Sequence, residues 1–313
     1  MDPLKKGRIG KTNLWVTQLG LGCSGLARSQ SDDQSLSTCR TAFEQGLNYF
    51  DTAPAYGRGL SETRLGYALK GRKNDFVIST KVGRMVTRGI PNASTEIPFD
   101  YSREGILKSF ESSLDRLGIE SVDILFIHDP DNHYKQAIEH AYPVLDELRS
   151  RGVIKAIGAG MNQWEMELRF ARNGNFDCFL LAGRYTLLEQ TALAEFLPYC
   201  QKNNISVIIG GPYNSGILAS ETGDERYNYN KPPQDIVLKT RKIKSVCDEF
   251  NVPMKAAALQ FVLAHPAVVS VIPGTKSPEH QEENLRMLNY RIPKNFWIKL
   301  KEDLLIDVDA PTP

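Results

Sequence analysis

Four side chains in the first half of the chain are of the types that move protons. Asp51, Lys81 and His128 each follow a short apolar run: Asn48–Phe50, Phe76–Thr80 and Val122–Ile127. Tyr56 comes five residues after Asp51, in Asp51-Thr-Ala-Pro-Ala-Tyr-Gly57. A tyrosine phenol has a reference pKa of about 10 and both gives and takes protons. A lysine cation about 4 Å away is worth roughly 4 kcal/mol at an effective dielectric of about 20. That would lower the phenol pKa by up to about three units, into the working range of a general acid or base. Asp51 would hold Lys81 and balance its charge, and His128 would hydrogen-bond the reacting oxygen. Singly, each residue has a plain structural use as a helix cap, an edge lysine or a turn histidine. Four of them at the same end of three consecutive runs point to a site.

The elements that must position them recur along the chain. Eight short apolar runs are separated by stretches of helical period: Val16–Leu21, Asn48–Phe50, Phe76–Thr80, Val122–Ile127, Ile154–Ile157, Phe176–Leu181, Ser206–Ile209 and Val268–Ile272. They are continuous rather than alternating, as strands covered on both faces are. Ser102 reads as the N-cap of a helix carrying Ile106, Phe110, Leu114 and Leu117 on one face, with Gly118 as its left-handed stop. Another helix runs from Ala137 to Gly152, and others cover roughly 34–45, 61–69, 163–173, 190–202, 235–250, 254–264, 278–288 and 293–303. Strand then helix, eight times, predicts a parallel (β/α)8 barrel in one domain over residues 1–313. An open doubly wound sheet is the alternative that periodicity leaves standing. The segment from Arg8 to Val16 reads as a hairpin closing the barrel floor. Two polar connections, Arg84–Tyr101 and Gly211–Gln234, are too long for simple turns and would rise on the face where barrel active sites sit.

Composition excludes several classes of function. The chain has 313 residues, 41% hydrophobic and 24% charged, with 38 Lys and Arg against 37 Asp and Glu, a net charge of +1. Near neutrality gives no general pull toward nucleic acid or an anionic membrane. The N-terminus lacks the apolar stretch of a signal peptide, and the most apolar window, Ala256–Ile272, is broken by Gln260, His265 and Pro266. Five cysteines, odd in number and without a Cys-x-x-Cys, fit a reducing, cytoplasmic setting.

Three competing motifs are weaker. Gly20-Leu-Gly-Cys-Ser-Gly25 matches a dinucleotide fingerprint, but the polar residues after it delay the helix to Ser31 or beyond. It reads better as a glycine-rich loop at the mouth of the first strand. His128, Asp129, Asp131 and His133 are close in sequence, but Pro130 makes them a turn rather than a metal set. No Gly-x-Ser-x-Gly elbow follows any strand.

The motif set resembles the aldo-keto reductase superfamily over nearly the whole chain. It is carried by Asp51–Gly57, Ser61-Glu62, Ser79-Thr-Lys81, Asp115–Asp123 and Ile127-His128. Within that superfamily, Ala156–Trp164, Leu181–Gln190 and Gly210–Gly216 are similar to aldose 1-dehydrogenases, pyridoxal 4-dehydrogenase and, more distantly, plant L-galactose dehydrogenase. The resemblance implies a catalytic tetrad of Asp51, Tyr56, Lys81 and His128. It implies a nicotinamide cofactor held by Gly22, Cys23, Asp51, Tyr213, Ser215, Gly274, Thr275, Lys276, His280, Glu283 and Asn284. The usual carboxamide-holding pair after the fifth strand is Gly160-Met161 here, the usual Gln on the sixth is Ala182, and the stacking aromatic after the seventh is Gly210. Asn162 and Tyr213 are the candidates to replace those contacts. Gly274 and His280 stand where a Lys and an Arg usually grip a 2′-phosphate, which leaves Lys276 as the nearby cation and implies NAD rather than NADP.

The expected activity is oxidation of a cyclic hemiacetal, an aldose or pyridoxal, to its lactone. Substrate contacts are sought among Arg84, Asn92, Thr95, Tyr213, Asn214, Tyr227 and Tyr229 of the two long loops. The alternatives are an NADPH-linked aldehyde or ketone reductase and a nucleotide-binding regulatory barrel with little turnover. The expected partner is a small molecule, not nucleic acid or membrane, with the chain a monomer or small homo-oligomer.

Overall fold

The computed structural model describes residues 1–72, 76–86, 97–220 and 226–313. Among the described residues are ten strands: β1 (Lys6–Arg8), β2 (Trp15–Thr17), β3 (Leu21–Gly22), β4 (Tyr49–Asp51), β5 (Val77–Val82), β6 (Ile124–His128), β7 (Ala156–Met161), β8 (Cys178–Ala182), β9 (Ser206–Gly210) and β10 (Val268–Ile272). Strands β3 to β10 form one parallel sheet in chain order. Its edges meet. Gly20 N donates to Val271 O at 3.0 Å, Gly22 N to Pro273 O at 3.2 Å, and Thr275 N to Gly22 O at 3.2 Å. The sheet is therefore a closed (β/α)8 barrel, and the open-sheet alternative is excluded.

The first predicted run splits. Trp15–Thr17 pairs antiparallel with Lys6–Arg8 as the expected hairpin, while Leu21–Gly22 pairs with β4 and Leu19 and Gly20 meet Val271 of β10. The hairpin tip sits under the barrel, where Gly10 N donates to the Ser206 hydroxyl at the start of β9. Ile9 and Leu14 close the interior from below. The glycines of the Gly20–Gly25 motif lie at the seam between β3 and β10. A Cβ on Gly22 would stand 2.7 Å from Ile272 O, and one on Gly25 would stand 2.1 Å from Thr275 O. Gly25 belongs to a 3-10 turn, Cys23–Arg28, so the stretch expected as an open loop is a short helical turn packed on the last strand. The long helix starts at Asp32 with Ser31 as its cap.

Most predicted helices form near their expected bounds. Arg103–Leu117 carries Ser102 as an N-cap accepting from Gly105 N and Gly118 at φ 64°. The helix expected over 137–152 begins earlier, at Tyr134, and includes a π-turn at Ala137–Ala141 before Tyr142–Ser150. The one expected over 190–202 breaks into Thr191–Leu193 and Phe196–Asn203. Among the described residues no helix is long and apolar enough to cross a membrane.

Strand alternation separates two cores. Phe50, Ile78, Leu125, Ile127, Ile157, Met161 and Phe179 face the helices. Tyr49, Val77, Phe126, Ala156, Cys178, Leu180, Ile208 and Ile272 fill the barrel. The same alternation puts Asp51, Lys81 and His128 inward at the upper ends of β4, β5 and β6. At the matching ends of β7, β8 and β9 it puts Gly160, Ala182 and Gly210. Half of the barrel mouth thus carries reactive side chains and the other half is bare.

The seam leaves no room for a side chain at Gly25. Gly25→Ala is expected to cost about 1–3 kcal/mol through backbone overlap, lowering the melting temperature by several degrees. Thermal unfolding followed by circular dichroism checks this, and a melting temperature equal to the parent's would contradict the packing described.

Candidate active site

The site is built around a buried ion pair. Lys81 Nζ lies 2.8 Å from Asp51 Oδ1 and 2.7 Å from Oδ2, with both side chains almost fully buried. Its third donor goes to the Thr52 carbonyl at 2.8 Å. The Ser79 hydroxyl donates to Asp51 Oδ1 at 2.7 Å and lies 3.0 Å from the Tyr49 hydroxyl deeper in the barrel. Asp51 is thus held from two sides, and Lys81 has its three protons satisfied. Asp51 raises the Lys81 pKa against the opposing effect of burial, so the lysine stays a cation.

The turn after β4 brings Tyr56 over this pair. Lys81 Nζ stands 4.9 Å from its ring centroid, close enough for the ammonium to act on the phenol pKa. The backbone closes the turn through Tyr56 N to Ala53 O and Ser61 N to Tyr56 O. Ser61 also donates to the Cys23 carbonyl at 2.7 Å and lies 2.9 Å from the Thr52 hydroxyl. The Tyr56 pKa is pushed up to about 12: burial raises it more than Lys81 lowers it. The expected depression into the neutral range is therefore not met. Asp51 sits directly on Lys81 and cancels much of the field that would stabilise a phenolate.

His128 completes the group. Its ring meets the Tyr56 ring edge-on, with centroids 6.0 Å apart. Burial, with Lys81 and Arg84 nearby, holds its pKa well below the usual imidazole value, so it is neutral. Nδ1 is buried and unpartnered among the described residues. All four predicted residues therefore meet at one end of the barrel. Of the neighbouring histidine and acids, His133 packs against Phe99 and Tyr101, while Asp129 stays beside His128 and pairs with Arg84.

The residues expected to hold a cofactor gather at the seam. Gly22, Gly274 and Thr275 pair across it. The Cys23 thiol is fully buried, and burial pushes its pKa up, so a cofactor can meet only its backbone. Ser277 caps the helix Pro278–Asn289, whose first turns carry His280, Glu283 and Asn284. Gly274, Lys276 and His280 are exposed there. Tyr213 donates to Asn284 Oδ1 at 2.7 Å, and Asn284 Nδ2 donates to the Thr275 hydroxyl at 3.2 Å. Ser215, at φ 64°, accepts from Tyr229 N. Lys276 is not the sole cation: Lys255, from the helix Met254–Leu263, binds both Glu283 oxygens at 2.8 Å and is neutralised by them.

The bare half of the mouth fits a flat ring. A Cβ on Gly160 would lie 3.8 Å from Lys81 Cε, and one on Gly210 would lie 3.6 Å from Ala182 Cβ. These three positions join Lys81 to the seam side without a projecting side chain. Met161 faces the helices and offers nothing to the mouth. Asn162 Nδ2 donates to Ala182 O at 2.6 Å, and Asn214 Nδ2 donates to Gly183 O at 3.1 Å. Asn214 Oδ1 is buried and unpartnered among the described residues, an acceptor suited to an amide N–H.

Of the proposed substrate contacts, Arg84 lies next to His128 through its ion pair with Asp129 at 2.7 Å. Asn214 is buried, Tyr227 donates to Glu189 at 2.6 Å, and Tyr229 is 67% exposed. Asn92 and Thr95 lie outside the described residues. Sequence reasoning missed Tyr49 and Ser79, although alternation places Ser79 on the same face as Lys81. It also missed Asp129 as the partner of Arg84 and Lys255 as the partner of Glu283, pairs that no spacing announces.

Comparison with known proteins agrees with this arrangement. Residues 18–303 match the model of the aldo/keto reductase family. The chain is 38% identical to pyridoxal 4-dehydrogenase of Microbacterium luteolum, covering 96% of this chain and 98% of that protein. It is 36% identical to D-threo-aldose 1-dehydrogenase of a Pseudomonas species, covering 96% of each. A holo-form aldo-keto reductase from Bacillus halodurans superposes with a TM-score of 0.81 at 25% identity, covering 98% of both chains. With the barrel, the cluster of Asp51, Tyr56, Lys81 and His128 and these matches in agreement, the chain belongs to the aldo/keto reductase family of oxidoreductases.

Proposed function

We propose that this protein oxidises a cyclic hemiacetal, an aldose such as L-fucose, L-galactose or D-arabinose, or pyridoxal, to its lactone with NAD. The observation that carries the reading is the junction of the two halves of the barrel mouth. Lys81, with Tyr56 over it, borders Gly160, the first position of a floor of Gly160, Ala182 and Gly210 on which a nicotinamide ring would rest. When bound, the cofactor accepts the hydride. Gly22, Gly274, Thr275 and Asn284 would hold its adenosine end, and Asn162 and Asn214 would orient its amide.

In this reading Tyr56 takes the hydroxyl proton of the lactol as the hydride leaves the same carbon. Lys81 steadies the phenolate that precedes the transfer, and Asp51 fixes Lys81. Neutral His128 hydrogen-bonds the reacting oxygen. Lactone formation removes one proton and one hydride from the hemiacetal, so no activated water is needed. The relatives' names, pyridoxal 4-dehydrogenase and D-threo-aldose 1-dehydrogenase, support that choice of substrate.

The sign of the Tyr56 shift sets a pH dependence. With its pKa near 12, the phenol is protonated at neutral pH and its phenolate fraction climbs with pH. Oxidative kcat/KM should rise between about pH 7 and pH 10, while aldehyde reduction, which uses the protonated phenol, stays flat. Tyr56→Phe should lower kcat by about 10² to 10⁴ and remove that slope while cofactor affinity holds. Steady-state rates in both directions against pH measure this, and turnover by the Phe variant within a few fold of the parent would rule Tyr56 out.

The seam predicts the cofactor. A charged hydrogen bond is worth roughly 1.5–3 kcal/mol. Two missing phosphate ligands at Gly274 and His280 imply about 10²- to 10⁴-fold lower kcat/KM for NADP than for NAD. Lys255 does not compensate, because Glu283 holds it. Equal values for the two cofactors would show that Lys276 suffices. For the product, NAD is incubated with each sugar and with pyridoxal, and early quenches are analysed by mass and by hydroxylamine reaction. Lactone should appear. Open-chain aldehyde reduction with no lactone from any of them would favour a reductase instead.

A further inference from the structure

Beside His128 lies an ion pair that the acid/base chemistry does not use. Arg84 follows β5 through Gly83, at φ 100°, and Asp129 follows β6 with φ 46°. Arg84 Nη1 donates to Asp129 Oδ2 at 2.7 Å, with side-chain exposures of 24% and 32%. Three contacts fix the pair. The Arg84 guanidinium carbon stands 5.2 Å from the Phe99 ring centroid. Asp129 N donates to Gly160 O at 3.0 Å. The Tyr101 hydroxyl lies 2.7 Å from His128 O and 3.1 Å from Asp129 O, both of which are acceptors.

The pair faces the reaction centre. Asp129 Oδ2 is 3.6 Å from His128 Nε2, and the Asp129 charge is felt at Tyr56. A group that close to the imidazole stands one substituent away from an oxygen held between Tyr56 and His128. Arg84 Nε is buried without a partner among the described residues, which leaves a charged donor without an acceptor. The charges at the reaction centre are paired, with Asp131 adding a further negative charge beside Asp129. Asp51 offsets Lys81, Asp129 offsets Arg84, and His128 is neutral. An anionic substituent here would find Arg84 already neutralised and the Asp129 carboxylate beside it.

We propose that Arg84 and Asp129 form a donor–acceptor pair that reads a hydroxyl on the carbon next to the reacting carbon and rejects a carboxylate or phosphate there. The guanidinium donates to the hydroxyl oxygen, and the carboxylate accepts its proton. The substrate class is uncharged α-hydroxy carbonyl compounds and their hemiacetals, which takes in the aldoses of the proposed function and gives pyridoxal, whose neighbouring ring carbon bears no hydroxyl, no benefit from the pair. The inference rests on the oxidoreductase reading of the Tyr56 site and adds what that reading leaves open, the residues that select among substrates.

Three two-carbon aldehydes isolate the position being read: glycolaldehyde with a hydroxyl, acetaldehyde with hydrogen and glyoxylate with a carboxylate. In reduction with the parent protein, glycolaldehyde should exceed each of the others by about 10- to 100-fold in kcat/KM. Asp129→Asn keeps the shape, and Asn tolerates a positive φ. It strips Arg84 of its counter-charge, so the ratio of glyoxylate to glycolaldehyde should rise by about tenfold or more. Arg84→Gln, which leaves the carboxylate unpaired, should not raise it. Calorimetric titration with glycolate gives a readout without turnover: Asp129→Asn should bind it more tightly than the parent or Arg84→Gln. Parent rates alike for all three aldehydes, or glycolate affinities alike for all three proteins, overturn the proposal. Selectivity for glycolaldehyde with no lactone from any sugar or pyridoxal would leave this proposal standing and remove the lactol-oxidation reading.

Discussion

The rest of the site depends on keeping a lysine charged inside a barrel. Lys81 is 1% exposed, and an ammonium taken that far from water is tolerated only when its charge and all three protons are met. Asp51 and the Thr52 carbonyl meet them, and the strands that supply these groups are neighbours in register. Ser79, itself hydrogen-bonded to Tyr49, then holds Asp51 from below. The parallel barrel is what permits this. Inward positions of adjacent strands converge at the C-terminal end, where the backbone also turns outward into loops. Tyr56 and His128 need only be laid over a charge already anchored. The cost appears in the phenol: the carboxylate that stabilises Lys81 also weakens its pull on Tyr56.

The barrel mouth divides its labour. Strands β4, β5 and β6 bring Asp51, Lys81 and His128, while β7, β8 and β9 end in Gly160, Ala182 and Gly210. Reactive groups and open floor thus come from separate consecutive stretches of chain. The seam is a third part, joined to the other two through strand pairing, Gly22 to Asp51 and Ile272 to Gly210, while His280 and Glu283 lie out on the helix Pro278–Asn289. Replacements at Gly274, His280 or Glu283 can therefore alter the grip on a cofactor without moving Tyr56 or Lys81.

Much of this was legible in the sequence because it follows from period and order. Continuous apolar runs marked the strands, the residues after them marked the reactive half, and Ser102 and Gly118 bounded their helix. What was not legible depends on partners distant in sequence. The run Val16–Leu21 reads as one strand, but Asn48 takes Thr17 N through its side chain and anchors that residue to the floor hairpin. The glycines Gly20–Gly25 read as an open loop at the mouth of the first strand until β10 is seen packed against them. The effect of Lys81 on Tyr56 had the right sign, but its net result required the burial of the phenol and the distance to Asp51. Lys255 finds Glu283 across 28 residues and Arg84 finds Asp129 across 45, through helix and strand packing alone.

The seam also bears on how the chain is made. Synthesis delivers β3 first and β10 last among the barrel strands, with Gly20 and Val271 some 250 residues apart. Until Val268–Ile272 leaves the ribosome, the growing sheet cannot close, and the outer edge of Leu21–Gly22 has no strand to pair with. That edge is short and glycine-rich, a poor template for another chain. The brevity of β3, which looks like a weakness in the finished barrel, keeps an unfinished one from seeding aggregation while it waits for its last strand.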